Sequence, residues 1–184
     1  QMTLDQWIAL YAQAKELQRS KEKEELCLVQ AQAAPRTPHD IPYTEIEVSL
    51  GVPWVREGII NDFTYFLRTG NEAFAGKNDS ARKYVSYEPL TGYWHVEDKQ
   101  CTYRSADKTR VRSTYGLPDY SALYILEAAL NLREIRRETE EETVAALEKQ
   151  EAIEKLFKEW VWQDEDRRWE IEEAYNKLFQ GCRA

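Results

Sequence analysis

Apolar residues recur at intervals of three and four in the first part of the chain, which is the spacing of an amphipathic helix. The residues of this stripe are Leu4, Trp7, Ile8, Tyr11 and Leu17. Thr3 and Gln6 precede most of the stripe in a capping-box pattern, so we predict a helix that begins there and ends near Gln30. Three prolines between positions 35 and 42 then predict an extended linker, because proline disfavours a helical conformation in the residue before it.

Two further helices are predicted before position 71. The segment Thr44–Glu47 is a second capping box, which predicts a short helix that Gly51 ends. Pro53 begins the next helix, and Gly70 ends it. The inward side of that helix consists of Val55, Ile59, Ile60, Phe63, Phe66 and Leu67. Residues 71–80 are predicted to form a loop.

The pattern changes from helical to alternating in the stretch KYVSYEPLTGYWHVED, residues 83–98. Two alternating runs flank Pro89–Gly92, which predicts a β-hairpin with a four-residue loop. A third strand is predicted near Thr109–Thr114.

The last third of the chain predicts three more helices. Asp119 or Ser121 caps the first, Thr139 and Glu142 form a capping box before the second, and Asp164 caps the third. The buried side of the first consists of Leu123, Ile125, Leu126, Ala129 and Leu130. The apolar positions of the second, with Trp160 expected in the core, are Val144, Leu147, Ile153, Leu156, Phe157, Trp160 and Val161.

These elements predict an α+β fold that is mostly helical, with one small antiparallel β-sheet and a long C-terminal helical arm. We divide the chain into an N-terminal helix (2–34), a central α+β core with the hairpin (35–137) and an acidic C-terminal helical hairpin (138–181). The three parts are expected to form one compact unit. Met2 is the only methionine, so we expect it to be the native start and Gln1 to be a tag remnant.

Composition narrows the class of protein. Hydrophobic residues make up 42% of the chain and aromatic residues 12%, which argues against intrinsic disorder. No apolar run approaches the roughly 20 residues of a membrane span, and no signal peptide is present, so a cytoplasmic protein is expected. The three cysteines are far apart and odd in number, which fits free thiols better than a disulfide framework or a zinc site.

Charge is distributed unevenly along the chain. The net charge is −8, and residues 138–180 contain 14 acidic and 6 basic residues, whereas residues 101–137 contain 7 basic and 4 acidic residues. The basic residues are candidates for phosphate contacts with DNA: Arg104, Lys108, Arg110, Arg112, Arg133, Arg136 and Arg137. The candidates for contact with a protein partner are Glu140, Glu141, Glu142, Asp164, Glu165, Asp166, Trp162 and Trp169. The alternative is that these residues are solvated helix faces or, for the tryptophans, helix-junction packing.

No catalytic signature is recognisable. The stretch TGNEAFAGKN is not a phosphate-binding loop, because Asn71 stands where the first glycine is needed and Asn78 follows Lys77. His39 and His95 are isolated in sequence, and His95 is expected to pack across the hairpin. We therefore expect a protein that is not an enzyme, with no catalytic residues, no cofactor and no metal.

Four stretches carry a resemblance to a known group of proteins: TEIEVSLGVPWV (44–55), EPLTGYWHVEDK (88–99), YGLPDYSALYILEAALNLREIR (115–136) and residues 149–179. In this order they resemble a segment of large DNA methylase–helicase proteins of phages and conjugative elements. That segment lies between an adenine methylase-like half and a Swi/Snf-type helicase half. The methylase and helicase motifs are missing here, and a longer insertion expected after the arginine-rich end of the third stretch is absent. Neither activity is therefore carried over.

In its size, its charge distribution and the mobile-element origin that this resemblance implies, the chain also looks similar to anti-CRISPR proteins from gut bacterial mobile elements. Some of these inhibit the single-protein effector nuclease of type II systems. The resemblance implies a host defence nuclease, the CRISPR effector–guide complex, as partner in the bacterial cytoplasm, with the acidic arm in one of its positively charged channels. The alternatives are a DNA-binding accessory module derived from the methylase–helicase parent and a scaffold for another mobile-element protein.

Overall fold

Helix α1 (Leu4–Ala33) begins where the capping box predicts it. The Thr3 N–H donates to Gln6 Oε1 at 3.0 Å, and the Gln6 N–H donates to Thr3 Oγ1 at 3.4 Å. The two side chains thus satisfy each other's terminal N–H groups, which have no partner within the helix. The helix runs three residues beyond the predicted end at Gln30.

The computed structural model describes residues 2–33, 41–72 and 82–180. Most of the predicted proline linker and most of the predicted loop 71–80 lie outside these residues. The chain divides into two compact units, Gln1–Pro38 and His39–Ala184. Helix α1 belongs to the first unit, and the remaining elements belong to the second.

The second unit confirms the predicted fold class. Its helices and strands are α2 (Glu57–Thr69), β1 (Val85–Glu88), β2 (Tyr93–Val96), α3 (Ala122–Leu130), α4 (Glu140–Val161) and α5 (Glu165–Gln180). The two strands form a small antiparallel sheet, and the helices make up most of the described residues. Within the described part of the chain, no helix has both the length and the apolar character needed to cross a membrane.

The β-hairpin has the predicted four-residue loop. Val85 pairs with Val96 and Glu88 pairs with Tyr93, which leaves Pro89–Gly92 as the connection. Alternation places Trp94 and Val96 in the core, so Tyr93 and His95 point outward.

The core forms where α2, α3 and α4 meet the hairpin. Phe63 of α2 lies edge-on to Phe157 of α4, with ring centroids 5.0 Å apart, and its centroid is 5.3 Å from that of Trp160. Trp160 is completely buried, which confirms its predicted place in the core. All five residues predicted for the buried side of α3 are also buried.

The predicted short helix at Thr44–Gly51 is wrong. A single 3₁₀ turn occupies Tyr43–Glu45, and the chain then leaves the helical conformation. Ile46, Val48 and Leu50 are buried, whereas Glu47 between them is exposed. Alternating burial at every second residue outweighs the local capping pattern, because an extended segment is what buries all three apolar side chains.

The predicted third strand near Thr109–Thr114 is also wrong, because this segment forms a π-helical turn, Arg110–Thr114. The Val111 N–H donates to Asp107 O at 3.0 Å, and the Arg110 N–H donates to Asp107 Oδ1 at 3.1 Å. Val111 is buried while its neighbours in the segment are half-buried or exposed. One apolar residue is too little to hold a strand against the core.

Helices α4 and α5 begin at the predicted caps. The Glu142 N–H donates to Thr139 Oγ1 at 3.1 Å, and the Arg167 N–H donates to Asp164 Oδ2 at 2.9 Å. The apolar stripe of α4 is buried only in its second half, because Val144 is half exposed. Helix α2, by contrast, begins at Glu57, four residues after the predicted start at Pro53.

Candidate functional surfaces

A buried carboxylate on α3 gathers cationic and aromatic residues around it. Glu127 accepts hydrogen bonds from the Val96 N–H at 3.0 Å and from Lys99 Nζ at 2.9 Å. It also accepts one from the Tyr93 hydroxyl at 3.1 Å and one from Arg133 Nη2 at 3.3 Å. Burial alone would raise the pKa of Glu127, but the Val96 N–H and the Lys99 ammonium lower it below its usual value. Glu127 is therefore ionised at neutral pH and holds the surrounding donors in place.

Tyrosine rings and cations contact one another in a series that begins at this carboxylate. Lys99 Nζ lies 5.6 Å from the centre of the Tyr124 ring, which stacks on Tyr120 with centroids 5.2 Å apart. The Arg137 guanidinium lies 4.4 Å from the Tyr120 ring, at one end of the series. At the other end, the Arg133 guanidinium lies 5.7 Å from the Tyr93 ring. We call the set the cation–tyrosine strip: Tyr93, Lys99, Tyr120, Tyr124, Arg133 and Arg137.

Two of the arginines proposed for DNA contact bind the backbone of their own chain. Arg110 Nε donates to Phe66 O at 3.3 Å and to Leu67 O at 3.0 Å, at the C-terminal end of α2. Arg112 donates to Pro118 O at 2.6 Å and to Gln100 O at 2.7 Å. Arg110 thereby joins segments more than 40 positions apart, and Arg112 ties together two nearer loops, so the first role of each is to hold the fold.

The other predicted cations are more accessible. Arg104 and Lys108 are exposed, and Arg136 forms one exposed ion pair with Glu134 at 3.0 Å. Arg133 is half exposed, whereas Arg137 is mostly covered and pairs with Asp119 at 2.6 Å. Of the seven predicted cations, the structure thus brings only Arg133 and Arg137 into the strip.

Four members of the strip were not singled out from the sequence: Tyr93, Lys99, Tyr120 and Tyr124. They lie up to 31 positions apart, and only the packing of α3 against β2 brings them together. The signal that could have found Tyr93 is the alternation of the hairpin, which turns its side chain away from the core. No comparable local signal marks Lys99.

The predicted acidic residues fall into two separate clusters. Glu140, Glu141 and Glu142 form the exposed first turn of α4, where the positive end of the helix dipole favours carboxylates. The exposed residues 164–166 lie at the turn into α5. Because α4 has 22 residues, the clusters are about 33 Å apart along its axis. We call these the N-terminal and C-terminal acidic clusters.

Trp162 and Trp169, the two predicted anchors, are both half-buried. The Trp162 ring lies 5.6 Å from the Tyr43 ring and packs against the core, close in sequence to the C-terminal acidic cluster. Arg168 in turn lies 5.0 Å from the Tyr43 ring. Trp162 therefore has an internal packing role as well as a partly accessible surface.

A largely covered arginine holds the turn that carries the C-terminal acidic cluster. Arg167 lies 3.7 Å from the Trp160 ring, donates to Trp160 O at 2.9 Å and pairs with Glu72 at 3.4 Å. Close by, burial raises the pKa of Asp62 above its usual value.

Among the described residues, no three His, Cys, Asp or Glu side chains are grouped so that they could hold a metal ion.

Residues 49–181 match the model of a protein family described as a domain of unknown function, DUF8437. The match covers more than two thirds of the chain, so the chain belongs to this family. It includes the hairpin, the cation–tyrosine strip and both acidic clusters, whereas α1 lies outside it. No curated protein and no solved structure matches the chain.

Proposed function

We propose that this DUF8437 family member is a non-catalytic inhibitor of a host nuclease that targets nucleic acids. In its specific form, the proposal is an anti-CRISPR-type protein of a mobile element that binds the type II effector–guide complex in the bacterial cytoplasm. Binding would interfere with recognition or cleavage of DNA. The resemblance of four stretches of the chain to mobile-element proteins supports the mobile-element origin in this proposal.

The observation that carries the proposal is that carboxylates are exposed on α4 and at the start of α5. No ion pair joins Glu140, Glu141, Glu142 or Glu165 to another described residue. Their charges are therefore available to a partner.

Effector nucleases of this type hold nucleic acid in positively charged channels, which is the surface that an acidic helix complements. Helix α4 is anchored to the core through Ile153, Phe157 and Trp160, all completely buried. Because its carboxylates stand on a fixed helix, little conformational freedom is lost on binding. Complementary charge also speeds association and disfavours wrong partners.

The test is a time course of DNA cleavage by a type II effector–guide complex, with and without preincubation with the protein. The proposal expects inhibition at a near-stoichiometric dose. The double variant Glu140→Lys/Glu141→Lys should lose inhibition. Glu88→Lys/Glu97→Lys makes the same change in net charge on the exposed hairpin and should inhibit as the wild type does.

The outcome that contradicts the role of the acidic residues is equal inhibition by both double variants. Full cleavage with several type II effectors would contradict the proposed target. Thermal unfolding of each variant is measured first, because lysine in the first turn of a helix is unfavourable to the helix dipole.

A second candidate function, contact with DNA, is favoured by the cation–tyrosine strip. Lys99 and Arg133 both bind the Glu127 carboxylate, and the rings of Tyr124 and Tyr120 connect Lys99 to Arg137. Cations meet phosphates, and tyrosine side chains contribute stacking and hydrogen bonding in nucleic-acid interfaces. The test is direct binding of duplex DNA by the protein alone over a series of salt concentrations, with affinity falling as salt rises.

A further inference from the structure

The N-terminal part of α1 carries an apolar face on about half of the helix circumference. Its members are Leu4, Trp7, Ile8, Leu10, Tyr11, Ala14 and Leu17. The six large side chains among them are between 46% and 76% exposed. Asp5, Ala9 and Glu16 lie on the opposite half of the helix.

The spacing of six of the seven members of this face reads the same in both directions along the helix. Leu4, Trp7, Leu10, Tyr11, Ala14 and Leu17 are separated by intervals of three, three, one, three and three residues. Ile8 is the exception, because its symmetry-related position is Gln13. A two-fold axis between Leu10 and Tyr11 therefore places apolar residues on apolar residues when a second α1 is laid antiparallel to the first. An unrelated partner would not require such symmetry, whereas an isologous interface between two copies does.

We propose that α1 pairs antiparallel with α1 of a second copy of this chain. The residues that come to the same level along the two helices are Leu4 with Leu17, Trp7 with Ala14 and Leu10 with Tyr11, each taken from opposite copies. Trp7, the largest side chain of the face, meets Ala14, the smallest, so the two helices approach closely at both ends of the seam.

The charges and the surface area agree with this arrangement. Asp5 and Glu16, which would be opposite in this register, stand on the outer half of each helix and stay out of the seam. Lys15 is at the border of the face with its ammonium 5.0 Å from the Tyr11 ring, and antiparallel helices also oppose their dipoles favourably. Six large apolar side chains offer on the order of 600 Å² per copy, or about 1,200 Å² for the pair, which reaches the lower end of specific interfaces.

The test is the mass of the full chain in solution, measured by light scattering over a concentration series. The wild type is expected to be a dimer, and Trp7→Glu is expected to be a monomer. Ala9→Glu adds the same charge on the opposite half of α1 and is expected to remain a dimer. A monomeric wild type at every concentration, or equal dissociation of the two variants, overturns the proposal.

Orientation is tested by disulfide cross-linking in a background with Cys27→Ser and Cys182→Ser, which leaves the buried Cys101. A mixture of Leu4→Cys and Leu17→Cys chains is expected to cross-link between the two variants, while each variant alone does not. Cross-linking of Leu4→Cys with itself overturns the antiparallel register. The proposal concerns α1 alone, so its failure leaves the proposed function standing, and the reverse also holds.

Discussion

Asn131 pairs with both backbone groups of Trp94. The Trp94 N–H donates to Asn131 Oδ1 at 2.7 Å, and Asn131 Nδ2 donates to Trp94 O at 2.8 Å. One turn earlier on α3, Glu127 accepts from the Val96 N–H. The outer edge of β2 is thus satisfied by two side chains of α3, in the place where a third strand would otherwise pair.

Replacing Asn131 with alanine is expected to destabilise the protein by about 2–3 kcal/mol, because it leaves the N–H and C=O of a buried strand residue without partners. The free energy of unfolding in denaturant measures this. Glu134→Ala is the control, since its exposed ion pair with Arg136 contributes less than about 1 kcal/mol. Equal effects of the two changes would show that the Asn131 bonds do not support the sheet.

This edge also explains what sequence could and could not predict. The capping box at Thr3, the N-cap at Thr139 and the four-residue hairpin loop are local signals, and the structure confirms all three. The predicted third strand at Thr109–Thr114 is a π-helical turn instead, and side chains at the end of α3 cover the edge of β2 where a third strand could pair. Such coverage depends on two side chains more than 30 positions away, which no local pattern reveals.

The candidate surfaces also contain features that the sequence predicted and features that it did not. The predicted acidic residues are exposed, as expected. The sequence indicated a single acidic arm, however, whereas the length of α4 separates these residues into two clusters. It marked Arg110 as a candidate contact, although the open C-terminal carbonyls of α2 bind it. Which arginine binds backbone and which faces solvent is decided by tertiary packing, so composition cannot distinguish them.

Asp98 is predicted to be essential because it pairs with a fully buried arginine. Arg68 Nη2 lies 2.9 Å from Asp98 Oδ2, and neither side chain has appreciable exposure. Asp98→Asn is expected to cost more than about 3 kcal/mol, since it leaves the Arg68 charge buried without its partner. Glu47→Gln, which breaks the exposed pair with Lys158, should cost less than about 1 kcal/mol.

The same pair predicts how stability depends on pH. Burial would raise the pKa of Asp98, but hydrogen bonds from Thr102 and Arg68 lower it far below its usual value. A lowered pKa in the folded state means that the stabilisation is complete above the unfolded pKa of about 4 and is lost as pH falls below it. Denaturation curves should therefore show wild-type stability falling below about pH 4, with a shallower fall in Asp98→Asn. Identical slopes would contradict the assignment.

Gly116 is predicted to tolerate no side chain. A Cβ there would lie 2.1 Å from Val111 O and 2.5 Å from Ala122 N, both of them backbone atoms that cannot move alone. Gly116→Ala is expected to destabilise by at least about 2 kcal/mol, because the π-helical turn or the start of α3 must shift. Gly92→Ala meets only Tyr87 Oη at 3.8 Å and should cost about 1 kcal/mol for its positive φ. Thermal unfolding of both variants compares them.

The cation–tyrosine strip leads to a prediction about how DNA affinity depends on salt concentration. If Arg133 contacts phosphate, Arg133→Gln should weaken duplex DNA binding at every sequence and reduce the slope of log affinity against log salt by about one. Arg112→Gln is the matched control, because Arg112 is engaged with the carbonyls of Pro118 and Gln100. A change in affinity with an unchanged salt slope would point to a structural role for Arg133 and contradict phosphate contact.

The separation of the two acidic clusters leads to the last prediction. If a positively charged channel accepts α4 along its length, Glu140→Lys/Glu141→Lys and Glu165→Lys act about 33 Å apart and share no partner. Their effects on the free energy of binding to the effector–guide complex should then add within about 0.5 kcal/mol. Asp164 is left unchanged in this experiment, because it caps α5 and its loss would weaken the helix itself. Competition binding of the single, double and combined variants measures the sum. If only one cluster affects binding, the channel contacts one end of α4, and the lengthwise arrangement is wrong.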